Sequence, residues 1–406
     1  MASDRPPSDL RGEAGRSRWL ILFVLFLART TISFSFQSVA TVGPVLVKRM
    51  GLGFTELGTL VGLFMLPGVL LALPSGILGQ RFGDKRIALC GLALMAAGGF
   101  CVASSATYPA ALAGRIIAGI GAVPLSILLT KMMADWFVGR EIVTAMAFFL
   151  SSAPIGSGLA LVTLGALAER SSVGTALNAV TAMCALAFLL VAAVYRAPDG
   201  MRQAAPSWQV RLSRAEWQLA AVSGMTWSFF NLGFGLLLNF GPSHLVAQGY
   251  TVAAAGAMVS LVMWVSVPAL PLAGYLAERI GRPDAVMGVC FIALTLAVLA
   301  VPAGGAAPLT AFALIGILIA PPPGLILKLP TEVLRPENRA AGMGVYYTCY
   351  YAGVALLNPA AGWARDVTGS SAAPIVVAAS MFAAALLSLG LFRALQRVAG
   401  EARSTA

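Results

Sequence analysis

Twelve apolar runs of about 20 residues or more dominate this 406-residue chain. Each is long enough to cross about 30 Å of hydrocarbon as a helix rising about 1.5 Å per residue. At about 22 residues per run, some two thirds of the chain is placed in lipid. Charged residues make up 11% of the chain, against about 25% in an average soluble domain, too few to cover a water-exposed surface. The remainder supplies short loops, one longer central loop and two tails, and leaves no room for a separate soluble catalytic domain. The expected fold class is therefore an all-α polytopic membrane protein of twelve transmembrane helices.

A net charge of +11 raises the question of nucleic acid, and the placement of the charge answers it. The even-numbered loops and the tails hold nineteen of the 27 Lys and Arg residues, whereas the odd loops hold Lys48, Arg49, Arg170 and Arg365. This alternation is the positive-inside pattern, with both termini cytoplasmic. The basic charge orients the chain in a bilayer, so no nucleic-acid partner is expected. Cys90, Cys101, Cys184, Cys290 and Cys349 all fall in apolar runs. Without CxxC spacing they form neither a disulfide framework nor a metal site. The first apolar run is too long for a cleaved signal peptide and is expected to be a retained span.

The chain repeats itself. Gly76-Ile-Leu-Gly-Gln-Arg81-Phe-Gly83 follows the second run, and Gly274-Tyr-Leu-Ala-Glu278-Arg279-Ile-Gly281 follows the eighth, an offset of 198. Lys131 and Asp135 match Lys328 and Glu332 at an offset of 197. Two landmarks at nearly one offset mark a duplicated six-helix unit. The organisation read from this is a tail at 1–18, a bundle at 19–195, a loop at 196–214, a second bundle at 215–394 and a tail at 395–406.

Two six-span halves, a long central loop and the G-x-x-x-x-R-x-G loop in both halves resemble the major facilitator superfamily. Arg115-Ile-Ile-Ala-Gly119-Ile-Gly121 in the fourth span fits that superfamily's R-x-x-x-G-x-G motif. The resemblance implies two pseudo-symmetric six-helix bundles that rock between access states. It also implies gating roles for Arg81, Gly83, Glu278, Arg279 and Gly281, and a coupling or packing role for Arg115. Arg140 with Glu141, and Glu337 with Arg339, occupy corresponding loops and are expected to form similar latches. Two departures stand out: Gln80 replaces the acid that Glu278 keeps, and the fifth span lacks the G-P-x-x-G-G pattern of drug–proton antiporters. Leu27-Ala-Arg29 followed by Ser38-Val-Ala-Thr-Val-Gly-Pro-Val-Leu is similar to the cyanate and nitroimidazole permease subgroup.

Arg29 is the sharpest individual signal. It lies ten residues beyond Trp19, about 15 Å along a helix and near the bilayer midplane. A charge at that depth costs about 2.5–3.5 kcal/mol or more and faces a partner or a cavity. No acid stands at matching depth, because Glu56, Glu169, Glu216, Asp135 and Glu332 sit at span ends. An anionic substrate or backbone carbonyls must compensate. Ser33 and Gln37 extend the same helical stripe. Trp227 and Asn231 occupy the corresponding seventh span, and span eleven carries Tyr346, Tyr347, Tyr350 and Tyr351, of which Tyr347 and Tyr351 are taken as cavity candidates. Lys328 follows a break at Pro321-Pro322-Pro323-Gly324, where a role in the inner vestibule competes with snorkelling.

No nucleophile–His–carboxylate set, metal spacing or phosphate loop is visible, so neither an enzyme nor a cofactor is expected. The expected function is secondary transport of a small monocarboxylate- or cyanate-like anion, with or without a co-transported proton. The setting is the inner (plasma) membrane and the working unit a monomer. A multidrug or metabolite exporter of the same fold is one alternative. A transporter-like sensor without flux is another, against which the short tails weigh.

Overall fold

The computed structural model describes residues 8–137, 141–198, 212–302, 308–335 and 338–404, and the chain is helical with no strand among the described residues. Most of the 196–214 connector, with Arg140 and Glu337, lies outside the described residues, as does the side chain of Glu278.

The first bundle begins with α1 (Ser8–Thr41) and a short α2 (Gly43–Met50). The second span, read as one run from the sequence, is three helices: α3 (Phe54–Gly62), α4 (Gly68–Leu71) and α5 (Ser75–Phe82). Pro67 and Pro74 stand immediately before the later two. A proline has no N–H to give and its ring strikes the carbonyl four residues back, so each restarts the helix. Next come α6 (Asp84–Ser104) and α7 (Tyr108–Phe137). Span five divides at Ser151 into α8 (Ile142–Leu150) and α9 (Ser152–Arg170), with Pro154 in the first turn of α9, and α10 (Val173–Val194) closes the half.

The second bundle comprises α11 (Arg214–Ala247), α12 (Val252–Ile280), α13 (Pro283–Ala300), α14 (Pro308–Leu318), α15 (Pro322–Val333), α16 (Arg339–Thr368) and α17 (Ala373–Ser404). The break between α14 and α15 falls at Pro321-Pro322-Pro323, where the sequence places it. Among the described residues, ten of the twelve spans qualify on length and hydropathy. Span two does not because it is broken, and α16 does not because four tyrosines and Asn358 dilute its apolar run.

Apolar faces bury one core in the second half, around Leu236, Phe291 and Phe382, and two in the first, around Leu92 with Leu125 and around Leu60 with Leu164. Ser213 opens α11 with a reciprocal cap: its hydroxyl accepts the Glu216 N–H at 3.2 Å while the Glu216 carboxylate accepts the Ser213 N–H at 2.9 Å. The two motif glycines, Gly83 and Gly281, adopt φ of 90° and 64°. Positive φ is the reason the repeated loop keeps glycine at both places.

Both described termini lie at one end of the helix barrel, here the tail end; the opposite end is the far end. The halves meet mainly through α3 and α4 with α16 and through α9 with α12, with smaller contacts of α1 and α2 on α11. Backbones touch there: Gly58 faces the Asn358 carbonyl and Gly256 faces the Leu161 carbonyl, each without room for a Cβ. Towards the tail end, α5 packs on α6 and α7, and α15 on α11, α13 and α16, each within its own half. The far end is closed.

Candidate functional site

Behind that closure a cavity of about 280 Å³ lies between the halves. Its walls come from α1, α9, α11, α12 and α16, with Met65 of the second span and Ile319 and Pro323 at the break of the tenth, which places it at the middle of the pseudo-two-fold arrangement. The volume is near the lower bound of small-molecule sites.

The stripe on α1 enters this cavity. Ser33 and Gln37 line it, with Phe36 beside them. Gln37 is fully buried and donates its Nε2 to the Leu238 carbonyl on α11 at 3.2 Å, a bond that crosses from one half to the other. That bond fixes the amide orientation, and its Oε1 accepts no hydrogen bond from a protein group. On the facing wall stand Trp227, Phe230, Asn231 and Phe234 of α11. Asn231 donates Nδ2 to the Trp227 carbonyl at 2.8 Å, a bond within its own helix. Asn358 closes the far side; its Oδ1 accepts the Asn239 Nδ2 at 3.0 Å.

Of the span-eleven tyrosines, Tyr350 lines the cavity and stands 6.2 Å from the Trp227 ring. Tyr346 is wholly buried against Trp227. Tyr347 and Tyr351 lie beside Arg29 instead, so the aromatic patch divides its work between two neighbouring places.

Arg29 sits one helical turn towards the tail end from Ser33, outside the cavity lining itself. Its Nη1 donates to the Thr130 hydroxyl on α7 at 2.9 Å, and its guanidinium carbon stands 4.8 Å from the Phe149 ring centre on α8. Among the described residues it forms no ion pair, since the described pairs are Arg18–Glu141, Lys131–Asp84, Arg335–Glu216 and Arg393 with Asp284 and Glu332. One hydroxyl and a ring face leave most of the guanidinium's five donors uncommitted. A positive charge without a carboxylate beside it, one turn from an apolar cavity, calls for a compensating partner.

The remaining residues singled out in the sequence are spread along the bundle. Arg115 is buried within the first half and donates to three backbone carbonyls, those of Leu60 at 2.8 Å, Ser35 at 3.0 Å and Phe36 at 3.2 Å. It rivets α7 to α1 and α3. Lys328 is exposed and outside the cavity lining. Arg81 and Arg279 are exposed, each over an aromatic ring of its own helix, Phe82 and Tyr275. Glu141 pairs with Arg18 rather than across the loops.

Sequence reasoning missed Thr130, Phe149 and Asn358, and named Tyr350 among the four tyrosines without singling it out. It also missed a pair of contacts at the far end. The Asp366 carboxylate accepts the backbone N–H groups of Phe54 and Thr55 at 2.8 and 2.7 Å, and the Glu169 carboxylate accepts that of Val252 at 2.5 Å. The repeat offset holds the signal for this pair, because 366 − 169 and 252 − 55 both equal 197.

The sequence profile of the Major Facilitator Superfamily matches residues 19–356 and 222–405. An uncharacterized transporter of Bacillus subtilis, YycB, is 26% identical over 92% of each chain. The hexuronate transporter of the same organism is 20% identical over 95% of this chain and 96% of its own. Among solved structures, the nucleoside transporter NupG superposes with a TM-score of 0.72 over 93% of this chain and 98% of its own, at 17% identity, a likeness of fold.

Proposed function

The chain belongs to the Major Facilitator Superfamily, and from that premise we propose that it is a secondary transporter of small organic anions working by alternating access. The observation that carries the reading is Arg29: a guanidinium deep in the bundle, held by Thr130 and Phe149, beside Tyr347 and Tyr351, and outside every described ion pair. The resemblance to a hexuronate carrier, hexuronate being itself a carboxylate, supports the same class.

The site has two poles. At one, Arg29 receives the carboxylate, with the tyrosine hydroxyls as further donors. At the other, two helical turns or about 12 Å along α1, the Gln37 Oε1 is an acceptor awaiting a donor. Phe36, Trp227, Phe230 and Tyr350 supply the wall between them. This favours a monocarboxylate with an apolar or aromatic body and a hydroxyl or N–H at its far end. The basic-loop asymmetry supports a cytoplasmic tail end and a setting in the plasma membrane.

Uptake of a labelled carboxylate panel into proteoliposomes tests the reading, comparing the native protein with Arg29→Gln and Arg29→Lys. Saturable uptake that is lost in Gln and partly kept in Lys is expected. Carboxylate flux unchanged in a folded Arg29→Gln protein would refute the assignment.

A further inference from the structure

The far end carries two hydrogen-bonded contacts that are copies of one another. In the first, Asp366 at the end of α16 reaches the N-terminus of α3 in the other half; both carboxylate oxygens are engaged, by Phe54 N–H, Thr55 N–H and the Thr55 hydroxyl at 2.8, 2.7 and 2.6 Å. In the second, Glu169 at the end of α9 reaches the first turn of α12, accepting the Val252 N–H at 2.5 Å. Positions 169 and 366 correspond under the repeat, and so do 55 and 252.

A helix N-terminus presents N–H groups with no partner inside the helix and a partial positive charge. A carboxylate seated there makes charge-assisted bonds, about twice as strong as neutral ones. Both helices already carry a cap of their own: Glu56 accepts the Gly53 N–H at 2.8 Å, and Thr251 accepts the Ala254 N–H at 3.1 Å. The inter-half carboxylates take neighbouring donors that these local caps leave over. Every described ion pair lies within one half, so these two contacts are the carboxylate links between halves among the described residues. The other charged groups next to them are Arg365, which covers the Phe54 ring, Glu56 and Arg170.

We propose that Glu169 and Asp366 form a duplicated charge latch that holds the far end shut, and that releasing both is required for the bundle to open there. The latch grips backbone N–H groups at both places, with the Thr55 hydroxyl as the one side-chain donor, so its strength depends mainly on the two carboxylates and on helix position. Each half contributes one carboxylate and one helix start. Rocking the halves apart at the far end draws each acid away from its helix axis at the same moment, which makes the opening an all-or-none step.

Double electron–electron resonance tests this on the full chain with its native cysteines replaced. Labels at Ala106→Cys and Ala247→Cys, both exposed far-end positions, report the far gap. Labels at Arg86→Cys and Arg282→Cys, both exposed, report the tail end. Asp366→Asn and Glu169→Gln are each expected to raise the far-open to far-closed ratio about tenfold, the weight of one charge-assisted contact, with the double variant beyond either. Tail-end distances are expected to shorten in step. The acid-keeping swaps Asp366→Glu and Glu169→Asp are expected to stay nearer the native distribution. Native distances at both ends in the folded double variant overturn the latch. If the double variant does not fold, native distances in both single variants overturn it equally. No cargo enters the measurement, so its outcome is independent of the anion assignment.

Discussion

Gly256→Ala adds one methyl group where α12 meets α9, and the structure states what that methyl encounters. The new Cβ collides with the Leu161 carbonyl, a backbone atom that cannot rotate aside. Ordinary contact is restored only if the helices part by about 1 Å, and overpacking of this kind costs about 1–3 kcal/mol. The strain exists while the far end is closed and disappears when the halves separate, so it acts on the conformational equilibrium. A bias of about 1–3 kcal/mol changes that equilibrium about 5- to 150-fold. The control is Gly274→Ala on the same helix, where nothing lies within 4 Å of the added Cβ. Alanine there improves helix propensity by about 1 kcal/mol and leaves the equilibrium alone. The assay is the far-end spin-label distance together with the thermal midpoint in detergent. Gly256→Ala is expected to populate the longer distance, and Gly274→Ala to raise the midpoint at native distances. If both variants gave native distances and the same rise in midpoint, the inference that this backbone contact holds the far end closed would be wrong.

Three further outcomes follow from the geometry. Gln37→Leu removes the Leu238 contact and the acceptor at Oε1; competition assays should show about a tenfold affinity loss for hydroxyl-bearing carboxylates and a smaller one for their deoxy analogues. Arg115→Met withdraws the donor from the Leu60, Ser35 and Phe36 carbonyls; unfolding should become easier by about 2 kcal/mol, measured by denaturant titration in detergent. Burial works against the charge of Asp366, but the bonds from Thr55 and Phe54, with Arg365 beside them, outweigh it and hold this carboxyl below its usual range. A depressed carboxylate contributes above its free pKa of about 3.9 and loses that contribution as pH falls through the lower latched value. In a Glu169→Gln background the far-end distances should stay flat from about pH 8 to 5 and lengthen below about pH 4, and Asp366→Asn should abolish that step.

The twelve spans and the duplication were legible because hydrocarbon thickness and repeat spacing are written directly in residue order. Pro321-Pro322-Pro323 announced its break, since proline acts on its own helix. Pro67 and Pro74 act by the same rule, yet the hydrophobic run through them hid the interruption. Ser33, Gln37, Trp227 and Asn231 were found because a midplane polar stripe has few stable places to face. Tyr350 was not separated from its neighbours, because a helix face cannot be assigned until its partner helix is known. Thr130 and Phe149 belong to other spans, and no spacing in the chain records that they meet Arg29. Arg115 was identified through a motif, but its three carbonyl partners depend on how α1 and α3 approach α7. Lys328 is exposed after the proline break, which is compatible with both of its sequence readings, a vestibule charge and a snorkelling one.

The contacts at 169, 366 and the helix starts they meet have a consequence for how the molecule can be divided. Taken together, they pair a position i of one half with j of the other and j with i, and Gly58 on the Asn358 carbonyl with Gly256 on the Leu161 carbonyl repeats the rule. This is isologous association, the contact of a two-fold dimer, here written into one polypeptide. The covalent connector then serves to raise the effective concentration of one half near the other rather than to define how they fit. Two separately made six-helix halves carry the whole recognition code between them, and a single half carries a self-complementary one.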